Sequence, residues 1–129
     1  TGVQTCALPI LGLSVWHQNG AVTLVLQPIL LRLCANYLST LAPAKMKARD
    51  PVAHFHLSNG ATLQQLNWMA DVSPKGLRQS CGMMVNYLYD PMTIDANSEN
   101  YAHTGAIAAS SDFRDLRKEK PVKNVRAVH

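Results

Sequence analysis

The sequence is 129 residues long, 47% hydrophobic and 16% charged, which fits one domain or part of one and excludes a disordered chain. Its net charge is +4, but six of its twelve basic residues crowd into RDLRKEKPVKNVR, from Arg114 to Arg126. Such a stretch reads as a solvated end or as a lure for an anionic, phosphate-bearing partner; with no aromatic-and-basic motif beside it, a nucleic-acid reader is excluded.

Three unevenly spaced cysteines, Cys6, Cys34 and Cys81, speak against a disulfide framework, and no CxxC or zinc-ligand spacing occurs. A reducing, cytoplasmic compartment is expected. No secretory leader is recognisable at the start, the chain does not end in SKL, and the apolar stretch Ala21 to Leu26 is cut short by Gln27 and Pro28, so no membrane span is expected.

In chain order, residues 1–10 (TGVQTCALPI) match the translation of a common sequencing-library adapter and are set aside, with Cys6. From Ala21 to Leu38 the apolar spacing is helical, and Pro28 favours a helix from Pro28 to Leu38 with proline in its first turn. Cys34 falls among Leu30, Leu31 and Leu38 and reads as core. Thr40 to Arg49 reads as a basic loop. Val52–Ser58 and Ala61–Met69 read as two strands joined by Asn59-Gly60, since a type I′ turn needs positive φ at both central residues. Alternation then puts Val52, His54, His56, Leu63, Gln65 and Asn67 on one mixed face. Ala53, Phe55, Leu57, Leu66 and Trp68 form the core face. Ser73-Pro74 predicts a helix start, and Gly82 a helix end near Cys81. Met83–Tyr89 predicts a strand with Met83, Val85, Tyr87 and Tyr89 on one face. Asn97–His103 and Ala106–Leu116 predict short helices. The sum is an α+β chain.

His56 is the first candidate for chemistry, because a neutral imidazole both donates and accepts and titrates near neutrality. Spacing alone reads it as an ordinary satisfied histidine. His54 shares its predicted face, but without a third ligand the HxH pair is not read as a metal site. Tyr87 and Tyr89 read first as packing residues with tethered hydroxyls. No serine elbow, GxGxxG or phosphate loop is present.

Three stretches carry a stronger signal: LQPILLRLCANYL, DPVAHFHLSNGATLQQLNWMADVSPKGLRQSCGMMVNYLYD and ENYAHTGAIAASS. In order and spacing, from Trp16 to Ser111, they resemble the end of the malonyl-CoA decarboxylase catalytic domain. The resemblance implies the C-terminal part of a GNAT-like, acetyltransferase-type domain over residues 11–113, followed by a divergent basic tail over 114–129. It implies conversion of malonyl-CoA to acetyl-CoA and carbon dioxide in fatty acid metabolism, with no metal or organic cofactor and a tendency to form homo-oligomers. The family's catalytic histidine falls on His56. The tyrosine closing its NYLY segment falls on Tyr89. His54 sits where the family varies and inherits no role.

The resemblance also places a catalytic serine, in an SSLSP-like motif, and a glycine-rich CoA loop before this region, and neither occurs here. The chain by itself is therefore expected to be inactive. Two other readings stand beside it: a fragment of an acyl-CoA acyltransferase sharing the fold, and a non-catalytic interaction remnant.

Overall fold

The computed structural model describes residues 16–118. The adapter-like stretch with Cys6, and the tail beyond Lys118, lie outside them. A short 3₁₀ turn, Trp16–Gln18, leads into helix α1, Gly20–Leu38; α2 is Pro51–Ser58, β1 Thr62–Asn67, α3 Pro74–Ser80, β2 Met84–Leu88, α4 Ile94–Thr104 and α5 Ser111–Leu116. Helices and one small antiparallel sheet make the α+β arrangement that the sequence predicts.

Helix α1 begins a full two turns before Pro28. Asn19 supplies the start, its side-chain oxygen accepting from the N–H groups of Ala21 and Val22. Pro28 then sits inside the helix and denies the carbonyl of Leu24 its usual partner. Leu24 is 75% exposed, so water can take that carbonyl and the helix need not end. At 19 residues α1 is also long and apolar enough, by length and composition, to cross a membrane, which the reading of Ala21 to Leu26 missed. Its Leu30, Cys34, Ala35 and Leu38 are nevertheless buried in one core with Leu57, Leu63, Tyr101 and Phe113. Leu24, Val25, Ile29 and Leu33 face outward.

The predicted hairpin through Asn59-Gly60 is not formed: residues 51–58 are helix, and β1 pairs with β2 instead. Asp50 is the helix N-cap. Its Oδ2 accepts from the N–H of Ala53 at 2.9 Å, and Pro51 fills the first turn. At the other end the N–H of Ala61 donates to the carbonyl of His56, and that of Gly60 to the carbonyl of Leu57. This is the Schellman arrangement, with Gly60 at φ +88°. Asn59 has φ −86°, so the double positive φ of a type I′ turn is absent. The face assignment built on the hairpin fails with it. Ala53 and Leu57, four apart, are buried, while Phe55, expected in the core, is 62% exposed.

Asp50 is itself only 4% exposed, and the Tyr37 hydroxyl donates to its Oδ1 at 3.4 Å. Asp50→Ala should therefore lose the cap and the Tyr37 hydrogen bond, a destabilisation of about 1–2 kcal/mol. Urea unfolding checks this, and an unchanged midpoint would contradict the capping role.

In the sheet Thr62 lies opposite Leu88 and Leu63 opposite Tyr87, after which the register shifts so that Gln65 meets Asn86 and Leu66 meets Val85. The extra residue is a β-bulge, and it turns both Leu63 and Leu66 inward although they stand three apart. Alternation without a bulge put them on opposite faces. Val85 and Tyr87 share a half-buried side, as the predicted β2 face has them, and Met83 of that face is buried, while Tyr89, beyond the end of the strand, is 42% exposed. On the other edge of β1, Leu63 exchanges backbone bonds with residues 108 and 110. This ladder holds 106–110 out of the helix predicted for Ala106–Leu116. Ser110 caps α5 instead. Residues 114–116, expected at the head of a solvated tail, close that helix, which packs on α1 and β1.

Helix α4 clasps the α2–β1 junction. Asn97 donates to the carbonyl of Gly60 and to the Thr62 hydroxyl, and Ser98 donates to the carbonyl of Ser58. The carbonyls left over at the end of α2 thus have partners. The turn from α2 into β1 fixes where the last helical turn lies against the Leu88 end of β2.

Candidate active site

His56 stands in that last turn of α2, and Tyr89 directly follows β2. The structure brings them together: His56 Nδ1 lies 2.6 Å from the Tyr89 hydroxyl oxygen. The imidazole also stacks on the Tyr87 ring, with centroids 4.1 Å apart and planes inclined by 19°. Phe55 closes a third side edge-on at 5.3 Å. His56 Nε2 has no hydrogen-bond partner among the described residues.

The two histidines do not form a pair. On a helix, residues two apart point to nearly opposite sides. His54 turns to α4, where its Nδ1 lies 2.7 Å from the hydroxyl oxygen of Tyr101. That same oxygen accepts the N–H of Ala48 at 2.8 Å, and Tyr101 is 4% exposed. The arrangement ties α4 to α2 and to the loop before it. Among the described residues no group of three or more His, Cys, Asp or Glu side chains could hold a metal ion.

Val52 and His56, one turn apart, border a cavity of about 440 Å³. Its other walls include Asp50, Asp71, Gln79, Ser80, Met83 and Tyr87, with Cys34 and Leu38 from α1. Burial, followed by the charge of Asp50, pushes the Tyr87 hydroxyl far above the usual tyrosine range, so it stays protonated. Tyr37 is raised by the same two causes. Asp71 is held below the usual carboxylate range by hydrogen bonds from Ser73. The cavity thus offers an imidazole backed by the Tyr87 ring and a buried carboxylate that caps the helix carrying the imidazole. That set can donate hydrogen bonds to a developing negative charge and can move a proton.

Two of these residues escaped the sequence reading. Asp50 was legible, because Asp50-Pro51 is the same N-cap and first-turn proline pair as Ser73-Pro74. Tyr87 was placed correctly on the face of Tyr89 but given no part in the site.

Residues 2–127 match the family model described as the malonyl-CoA decarboxylase C-terminal domain. The chain belongs to the malonyl-CoA decarboxylase family. It is 45% identical over 101 residues to the mitochondrial malonyl-CoA decarboxylase of Mus musculus, covering 78% of this chain and 20% of the relative. Against the mitochondrial enzyme of Anser anser anser it is 45% identical over 97 residues, covering 75% and 19%. Among solved structures, the malonyl-CoA decarboxylase of Rhodopseudomonas palustris matches with a TM-score of 0.78 and 44% identity, over 85% of this chain and 25% of that one. The enzyme of Agrobacterium vitis matches with 0.79 and 40%, over 87% and 28%. The chain therefore spans about a fifth of the length of the curated malonyl-CoA decarboxylases it matches.

Proposed function

We propose that this chain is the part of a malonyl-CoA decarboxylase catalytic domain that carries the catalytic histidine, His56, and that it acts on malonyl-CoA in fatty acid metabolism. The observation that carries the reading is the 2.6 Å pair between His56 Nδ1 and the Tyr89 hydroxyl at the edge of an open cavity. The antiparallel strands flanked by helices are consistent with the end of a GNAT-like domain, and the buried thiols of Cys34 and Cys81 with a reducing, cytoplasmic setting.

The chemistry asks for a donor. When a malonyl thioester loses carbon dioxide, the electron pair of the broken C–C bond passes into the thioester and leaves an enolate, with charge on its oxygen. One proton then restores the methyl carbon and gives the acetyl thioester. A neutral imidazole has a single N–H, and the partner of one nitrogen decides where it sits. We assign the Tyr89 hydroxyl as the donor to Nδ1, which puts the proton on Nε2, the nitrogen without a partner among the described residues. Nε2–H is then the donor for the enolate oxygen; when it passes its proton to the methyl carbon, the ring takes the Tyr89 hydroxyl proton at Nδ1, and the tyrosinate regains one from solvent.

Tyr89→Phe removes the group that selects this tautomer and leaves the ring. In a complete malonyl-CoA decarboxylase carrying this segment, kcat should fall roughly 10–100-fold with KM little changed. Carbon dioxide release from labelled malonyl-CoA measures it; parent-level kcat in Tyr89→Phe would refute the tautomer assignment. The SSLSP-like serine is not in this sequence, so the 129-residue chain alone is expected to release no carbon dioxide.

A further inference from the structure

We infer that Tyr87 is a positioning residue for His56, its ring serving as the flat support that fixes the direction of Nε2. The inference rests on the catalytic reading of His56.

One hydrogen bond cannot orient an imidazole. The second side-chain torsion of histidine is broad, so a ring held only through Nδ1 can swing about the Nδ1–Oη line and sweep Nε2 through an arc. A flat surface against the ring face removes that freedom. Tyr87 supplies one, 4.1 Å away and nearly parallel, whereas Phe55 touches only the edge. The support is rigid because Tyr87 lies within β2, paired across the sheet with Leu63, which is fully buried. Tyr89, by contrast, follows the strand and is 42% exposed. The hydrogen bond thus comes from the looser residue and the stack from the firmer one.

The ring, not the hydroxyl, is the working part. The Tyr87 hydroxyl is shielded and has no hydrogen-bond partner among the described residues. Burial also keeps it protonated, so it brings no charge to the imidazole.

The test uses a complete malonyl-CoA decarboxylase carrying this segment. Tyr87→Met keeps an apolar side chain of similar reach but no flat face. It should lower kcat about 10–100-fold while KM moves less than about 2-fold, the signature of a misplaced group and not of lost binding. Tyr87→Phe should recover kcat to within about 3-fold of the parent, because the stack survives. In NMR spectra, the His56 ring protons should lose their ring-current displacement in Tyr87→Met and keep it in Tyr87→Phe, a change that general destabilisation does not produce. If Tyr87→Met fails to fold, as judged by circular dichroism, Tyr87→Leu takes its place with the same expectations. Parent-level kcat in the ring-less variant overturns the inference, and so does a Tyr87→Phe no better than Tyr87→Met, which would move the role to the hydroxyl. Failure of the underlying reading looks different: His56→Ala would then keep its turnover, whatever the Tyr87 variants do to the NMR signals.

Discussion

Replacing His56 by alanine in a complete malonyl-CoA decarboxylase carrying this segment should lower kcat about 10³-fold, with KM within a few-fold of the parent. Loss of one donor to a developing oxyanion typically costs about 10²–10³ in kcat, or ~3–4 kcal/mol. Loss of a positioned acid costs about 10²–10⁴. One imidazole doing both cannot lose the two in full, because the effects of groups acting on one transition state do not add. KM should move little, since in the proposed role His56 meets a charge that exists only after carbon dioxide begins to leave. The fold should survive. His56 is partly exposed in the last turn of α2, its backbone carbonyl still accepts from Ala61 in the variant, and alanine is the better helix former. Steady-state carbon dioxide release beside a melting curve decides the matter. A kcat within 10-fold of the parent, in protein that melts normally, would place the catalytic acid elsewhere.

What could be read from the residues alone divides along a physical line. Signals local to one turn were legible: Ser73 capping α3, the shared face of Val85 and Tyr87, the buried place of Cys34. The α2–β1 unit was not, because two structures compete for the same letters there. Asn-Gly serves a hairpin turn and a helix C-cap equally well, since glycine at positive φ satisfies both. What decides is non-local. The carbonyls freed at the end of α2 are taken by Asn97 and Ser98, about forty residues on. The strand that β1 needs is β2, not 52–58. The bulge between Leu63 and Gln65 was equally invisible, because it is set by pairing across the sheet. His56 and Tyr89 were both named from the family resemblance, but their contact could not have been. It depends on α2 being a helix, so that the histidine approaches β2 from the helix end; within the predicted hairpin His56 would have faced Leu63.

The same junction carries the largest expected effect on stability. Gly60→Ala should destabilise the protein by about 3 kcal/mol. Left-handed φ costs an alanine ~1–2 kcal/mol, and forcing an extra methyl into a packed site costs ~1–3 more. Here the added carbon would fall within 3.0 Å of the backbone oxygen and carbon of Ile94, and main chain at the start of α4 cannot turn aside as a side chain can. For a domain of this size the melting temperature should drop roughly 10–20 °C. Gly105→Ala is the matched control. It too is a left-handed helix end, at φ +72°, but its methyl would meet only the tip of the Leu41 side chain, so the loss should be smaller. The two also part in function. In a complete enzyme Gly60→Ala should lower kcat even well below its melting point, because Gly60 closes the turn that holds His56 against Tyr87 and Tyr89. The Gly105 variant, at the far end of α4, should leave kcat close to the parent. If Gly60→Ala melts with the parent, the close approach to Ile94 is not a fixed feature of the fold. If it melts early but keeps full kcat, the helix cap stabilises the chain without setting the position of the imidazole.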